Sequence, residues 1–464
     1  MPEHASAKQE RDPLPRAGQG PHTSRRRLLA CGALGAGAAA AAPLGACRGP
    51  RAAAGSAGSD ERTERAQAAF PELSDQRRSV APIGPEEHAA RCARLAELLD
   101  ARGVDAYFCE GGATLTYLSG VSWGRSERSF GLLVLADGTR RWISPRFEAE
   151  RAALETGARV GEEILTWEED QYARHAFAEA IARHGIRALA LDPSTRLLVR
   201  DEVRAAGLAD EALVGGRALL VALRGVKDAH ELELLRRANE LTQRAIEAAA
   251  ERIEVGMSGD EVAALVRGAQ TALGLEQVWV LALIGAAAAY PHGDGGSGRL
   301  RAGDFLLVDT GGALHGYQSD NTRTWMPHGR PNARQLHVWE TVRAAQQRAF
   351  ETIRPGVPCG AVDRAARAVI ERAGFGPDYR AFTHRLGHGI GLEGHEDPYF
   401  DRGSEVLLEP GMTLSNEPGS YLYGELGVRL EDIVAVTADG AEHFGGWQAG
   451  PLSPRALSPH EGVR

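Results

Sequence analysis

Cysteine is scarce in this chain and shows no paired spacing. The five cysteines stand at positions 31, 47, 92, 109 and 359, without a CxxC step among them, so no disulfide framework is expected. Cys92, Cys109 and Cys359 fall among helical or strand-like apolar residues, the usual setting of small buried thiols. A basic excess is lacking too. Lys and Arg number 53 against 62 Asp and Glu, a net charge of −9, and the first 47 residues supply six basic and three acidic groups, which leaves the body at −12. An acidic body argues against nucleic acid as a partner. The remaining figures, 464 residues with 43% hydrophobic and 25% charged content, describe a soluble globular protein long enough for two domains.

Ahead of that body stands a leader. Residues 1–23 are polar and contain Pro and Gly; Ser24-Arg25-Arg26-Arg27-Leu28-Leu29 then opens an uncharged run of 19 residues, 28–46. A basic pair before a weakly apolar, Ala/Gly-rich core resembles a twin-arginine export signal, read here over 1–47. The alternative is a membrane anchor, for which 19 residues suffice in length but whose Ala and Gly make insertion weak. Leu44-Gly45-Ala46-Cys47 also resembles a lipobox, which would attach a lipid to Cys47. The expected location is therefore the periplasm, or the outer side of the cytoplasmic membrane through Cys47. Residues 48–82 read as a flexible tether, and 451–464 as a short disordered tail.

The stretch 306–320, LLVDTGGALHGYQSD, holds two carboxylates where carboxylates are costly. Asp309 ends the apolar run Phe305-Leu306-Leu307-Val308, a buried-strand pattern, and Asp320 follows 11 residues later with Gly311, Gly312 and Gly316 between them. This suits a hairpin that returns the second carboxylate beside the first. A buried aspartate needs compensation, and a cation supplies it. Three later segments add to the set: His388 in Arg385-Leu-Gly-His-Gly-Ile-Gly, Glu417 in Leu414-Ser-Asn-Glu-Pro-Gly, and Glu431 in Val428-Arg-Leu-Glu-Asp-Ile-Val. Two Asp, two Glu and one His form a hard, oxygen-rich ligand set suited to two divalent cations of the manganese, cobalt, iron or zinc kind.

These segments resemble the creatinase/aminopeptidase superfamily, the pita-bread metallopeptidases that include prolidases and proline-specific aminopeptidases. The spacings are 11 from Asp309 to Asp320, 29 from His388 to Glu417 and 14 from Glu417 to Glu431, which are similar to the prolidase branch. The resemblance runs from about Glu87 to about Ala435. It implies an α+β protein, with a creatinase-like α/β domain over 83–225 and a pita-bread catalytic domain over 226–450. Alternating strand and helix patterns fit the first domain, among them 105–109, the strand-turn-strand at 130–144, the strand at 188–191 and the helix at 195–206. In the family this domain helps to build a dimer, so a homodimer is implied.

The resemblance also implies roles. Asp309 holds one metal, His388 and Glu417 the other, and Asp320 and Glu431 bridge them; manganese or cobalt is the first expectation, zinc or iron the second. His292 and His395 hydrogen-bond the substrate carbonyl, Glu417 shuttles a proton and Arg429 orients carboxylates. The reaction implied is hydrolysis of the N-terminal bond of short peptides, preferentially Xaa-Pro. Archaeal-type prolidases carry Arg just after the His-Glu-x-Pro step, where this chain has Tyr399, which puts a clamp for the substrate carboxylate in doubt; Arg402 lies nearby in sequence. His315 and Trp325 flank Asp320 and are either pocket or packing residues. The alternative function is a metal-dependent hydrolase or lyase of a small amide-like or osmolyte compound on the same fold. A third reading, a peptide-binding module without catalysis, conflicts with five filled ligand positions.

Overall fold

A computed structural model describes residues 68–296 and 298–457. The signal and lipobox read over 1–47 lie outside these residues, as does most of the tether.

The first domain is built on one mixed six-stranded sheet, in the order Ile164–Trp167, Arg140–Pro145, Gly131–Leu135, Ala106–Glu110, Leu189–Leu191, Leu213–Gly215. Strand periodicity sorts its two cores, because successive side chains leave opposite faces. Within Ala106–Glu110, Tyr107 and Cys109 join Leu95, Leu99 and Leu132, whereas Ala106 and Phe108 join Ile143, Phe177 and Val199. Covering both faces of one sheet gives the α/β layering that the sequence implies. The strand-turn-strand is an antiparallel pair that aligns Gly131 with Ile143.

The helix Arg217–Arg224 and residues 225–227 lead into the second domain. Its first long helix, Ala229–Ala250, starts at a capping box: Asp228 accepts from the Glu231 amide and the Glu231 carboxylate accepts from the Asp228 amide. The box expected at Ser258 and Glu261 starts Gly259–Ala272 in the same way.

One sheet of this domain centres on Leu306–Leu314, paired antiparallel with Glu276–Ile284 and Asn321–Trp325, so that Asp309 lies between Leu281 and Thr322. The chain reverses at His315 and Gly316, both at positive φ, and Leu314 pairs with Tyr317. The hairpin expected between the two aspartates is therefore present. A second sheet runs Glu396–Phe400, Gly387–Gly389, Thr413–Asn416, Asp432–Val436, Ala441–His443. The Glu431 amide donates to the Thr322 carbonyl at 3.1 Å and joins the two sheets.

Two expectations are corrected. The tether does not extend to residue 82: Phe70, Leu73 and Val80 are buried against Leu234, Leu241 and Leu273, and the Arg252 guanidinium lies 4.3 Å from the Phe70 ring centre. Three apolar residues in a polar run show no period, yet each fills a groove made by distant helices. The tail is corrected as well, since Ser453–Ala456 pairs with Gln448–Gly450 and the Pro451 carbonyl accepts from the Met326 amide. Phe70→Ala is expected to cost about 3 kcal/mol of unfolding free energy in a denaturant titration. A change within the scatter of surface substitutions would return this segment to a tether.

Candidate metal centre

Side chains spread from position 309 to 431 meet at one place. Ligand atoms of Asp309, Asp320 and Glu431 lie within 4.8 Å of one another, as do those of His388, Glu417 and Glu431, and those of Asp320, His388 and His395. The five ligand candidates thus come together, with Asp320, Glu431 and His388 each in two groups.

Electrostatics defines what these groups require. Burial first, and then Glu431, Asp309 and Glu417, push the Asp320 carboxyl far above the carboxylate range. Burial and then Glu417 and Asp309 do the same to Glu431. Burial outweighs the Arg429 charge at Glu417 and raises it to about 7. At 4.8 Å two like charges repel by roughly 3 kcal/mol at an effective dielectric constant of about 20, so the acids cannot all ionise without added positive charge. Asp432, next in sequence to Glu431, is the internal control: burial acts to raise it, but Arg323 at 2.6 Å and His443 outweigh burial and hold it below its ordinary value. The Oδ1 atoms of Asp309 and Asp320 are buried without a hydrogen-bond partner, which leaves both acceptors open to a cation. His388 fits the same purpose. Its Nδ1 donates to the Gly389 carbonyl at 3.0 Å, which leaves the Nε2 lone pair facing Glu417 at 3.4 Å and Asp320 at 3.7 Å. Burial first, then His395, lowers His388 to about 3, so the ring is neutral and able to ligate.

Surrounding residues fix these groups. Arg429 reaches Asp309 Oδ2 at 2.6 Å with Nη2, Thr322 Oγ1 with Nε and Tyr421 Oη with Nη1. Thr322 in turn donates to Glu431 at 2.6 Å, and Ser415 donates to Glu417 at 3.1 Å. His395 stacks on His388 with ring centres 3.7 Å apart. His292 is exposed on the loop after the short helix Gly285–Ala289, near enough to bear electrostatically on His384 and His395.

Sequence reasoning missed His384, Tyr421, Thr322 and Ser415. His384 Nε2 lies 2.7 Å from Tyr421 Oη, and its Nδ1 is 3.9 Å from Glu417. Its position four residues before His388 was the available signal. Thr322 carried only strand alternation after Asp320, and nothing local points across to Glu431.

The pocket candidates part ways. Trp325 is core, packed with Ile246, Val262 and Leu306. His315 Nε2 bonds the Arg77 and Val80 carbonyls and so holds the N-terminal segment. Arg402 pairs with Asp378 at 2.5 Å. Arg385 instead stacks over the Tyr399 ring at 4.1 Å, with Nη2 3.4 Å from His395 Nδ1, and forms no ion pair among the described residues.

Raised carboxyls retain protons in the folded state that the unfolded chain has already released. Stability of the metal-free protein is therefore lost as pH climbs from about 4, the unfolded carboxylate range, towards the higher folded values. Calorimetry of chelated protein should show Tm falling between about pH 6.5 and pH 8, above the range in which His388 and His384, both lowered to about 3, add stability as pH rises, with manganese removing most of the fall. Equal slopes with and without metal would contradict a site that needs cations.

Residues 233–438 match the model of metallopeptidase family M24, and residues 91–226 match the creatinase/prolidase N-terminal domain. A putative dipeptidase, YkvY, of Bacillus subtilis is 33% identical over 76% of this chain and 96% of its own. The Xaa-Pro dipeptidase of Pyrococcus furiosus is 39% identical over 48% of this chain and 63% of its own. The crystal structure of dipeptidase PepE from Mycobacterium ulcerans superposes with a TM-score of 0.74 at 30% identity, covering 81% of this chain and all of that one. The chain is a hydrolase and belongs to metallopeptidase family M24, with a creatinase-type N-terminal domain before its pita-bread domain.

Proposed function

We propose that this chain is a two-metal peptidase that hydrolyses the N-terminal bond of short peptides, preferentially Xaa-Pro. The observation that carries the reading is the convergence of four mutually repelling carboxylates and one neutral imidazole. Asp309 would hold one cation, His388 and Glu417 the other, and Asp320 and Glu431 both. Four negative charges then offset two divalent ions, with manganese or cobalt the best match to the oxygen-rich set. Such ions supply Lewis acidity and an acidified water near neutral pH.

The chain's own residues do the rest. Glu417 would accept a proton and return it to the leaving amine, with Ser415 at 3.1 Å orienting its carboxylate. His292 and His395 donate to the carbonyl oxygen as it gains charge. Arg429 keeps Asp309 in place through its 2.6 Å contact. Arg385, a cation without a carboxylate partner beside His395, suits the C-terminal carboxylate of a dipeptide and stands in for the Arg that Tyr399 replaces. The Xaa-Pro preference is supported by relatives named as Xaa-Pro dipeptidase and X-Pro aminopeptidase. Export by the twin-arginine route, with folded and metal-loaded cargo, is part of the same proposal and rests on Arg25, Arg26 and the uncharged run after them.

Metal analysis of purified protein, beside cleavage of Gly-Pro and of Xaa-Pro-Xaa peptides, tests the reading. Two metals per chain and Gly-Pro hydrolysis that chelation abolishes and manganese or cobalt restores are expected; hydrolysis indifferent to thorough metal removal would reject it. A panel of Xaa-Pro substrates all left intact would favour a small non-peptide amide instead. Arg385→Ala should raise KM for Gly-Pro by roughly tenfold or more, the worth of a charged hydrogen bond, and leave a C-terminally amidated substrate unaffected. Equal losses on both substrates would remove Arg385 from carboxylate recognition.

A further inference from the structure

The loop that presents His395 is held from outside its own domain. Its neighbours in sequence are tied to the segment that joins the two domains: the Glu396 carboxylate is buried between Lys227 Nζ at 2.7 Å and the Arg224 guanidinium. Arg224 also reaches Glu393 at 2.9 Å and Thr114 of the first domain at 3.1 Å. Arg217 grips Asp397 at 2.7 Å. The loop is folded round that carboxylate so closely that a Cβ on Gly391 would stand 2.5 Å from Glu396 Oε1. The joint is fixed in its turn, since the Lys227 amide donates to the Gly411 carbonyl and Val226 bridges to Met412. His395 itself makes only the ring stack on His388 and the 3.4 Å approach to Arg385. Nothing in its own side-chain contacts sets its height over the metal ligands.

We propose that Lys227, Arg224 and Arg217 of the interdomain joint are positioning residues that, through Glu396 and Asp397, set the placement of His395 over His388. The first domain is on this account a working part of the catalytic apparatus, because the joint that ends it aims a group contributed by the second. The proposal rests on the reading of His395 as a donor to the reacting carbonyl. A donor displaced by a fraction of an ångström loses its advantage in the transition state more than in the ground state, so the effect falls on kcat.

Kinetics of manganese-loaded full-length protein on Gly-Pro test this in a cycle of Lys227→Met, His395→Ala and both together. Lys227→Met should lower kcat about tenfold with little change in KM, and should cost nothing further once His395 is Ala; Lys227→Arg should recover most of the loss. Arg217 is largely exposed, so Arg217→Ala leaves the fold intact and gives the same cycle on a smaller scale, a two- to threefold loss confined to the His395 background, should Lys227→Met not fold. Losses that multiply independently of His395 in either cycle would overturn the proposal and leave the role of His395 standing. Undiminished kcat in His395→Ala would remove that role, and the proposal with it.

Discussion

Uncompensated negative charge is the constraint round which this molecule is arranged. Asp309, Asp320, Glu417 and Glu431 come together in one place, and among the described residues the only Lys or Arg ion pair any of them makes is that of Asp309 with Arg429. Proteins ordinarily neutralise buried acids one by one, and this chain does so at the very next residue, where Arg323 of the other sheet and His443 satisfy Asp432. The difference between residues 431 and 432 is therefore a difference of purpose. Asp432 is an internally satisfied brace, further held by Gln243 and Gln346, whereas Glu431, its carboxyl pushed up by burial and by Glu417 and Asp309, forms no ion pair among the described residues.

That brace explains how so repulsive a site stays formed. Arg323 donates to the Glu431 carbonyl as well as to Asp432, and Thr322 beside it binds the Glu431 carboxylate. Successive residues of one strand thus fix both the backbone and the side chain of Glu431. Asn239 accepts from the Asp320 amide, so the helix Ala229–Ala250 sets the approach of the second aspartate. Elements held by these hydrogen bonds behind the ligand candidates allow the candidates themselves to remain open.

The rest of the chain is tied into this scaffold more tightly than a two-domain description suggests. Residues 70–80 lie against the helices of the second domain, and His315, at the tip of the hairpin between Asp309 and Asp320, bonds carbonyls of that segment. The interdomain joint reaches the opposite side of the site through Glu396. Elements that carry no ligand therefore govern where the ligands stand.

Much of this was legible in the linear chain. The five ligand candidates, their order and the hairpin could be read because each sits in a local context that is expensive or unusual: an acid closing an apolar run, a histidine among glycines, glutamates within strand-like segments. The capping boxes at Asp228 and Ser258 and the alternation in the first sheet are local as well, and they formed as read. His384, Tyr421, Thr322 and Ser415 escaped because their partners lie across strands or sheets, and a threonine or tyrosine in a strand looks the same whether or not it touches a ligand. Phe70 and Ser453–Ala456 escaped for a related reason, since short segments without a period gain structure only from surfaces made elsewhere. The sequence by itself determined which groups the site contains, because the burial cost of an acid is written in its immediate neighbours. Tertiary structure alone decided which acids are satisfied and which are left open, because pairing depends on distances between residues more than a hundred positions apart that no local pattern encodes.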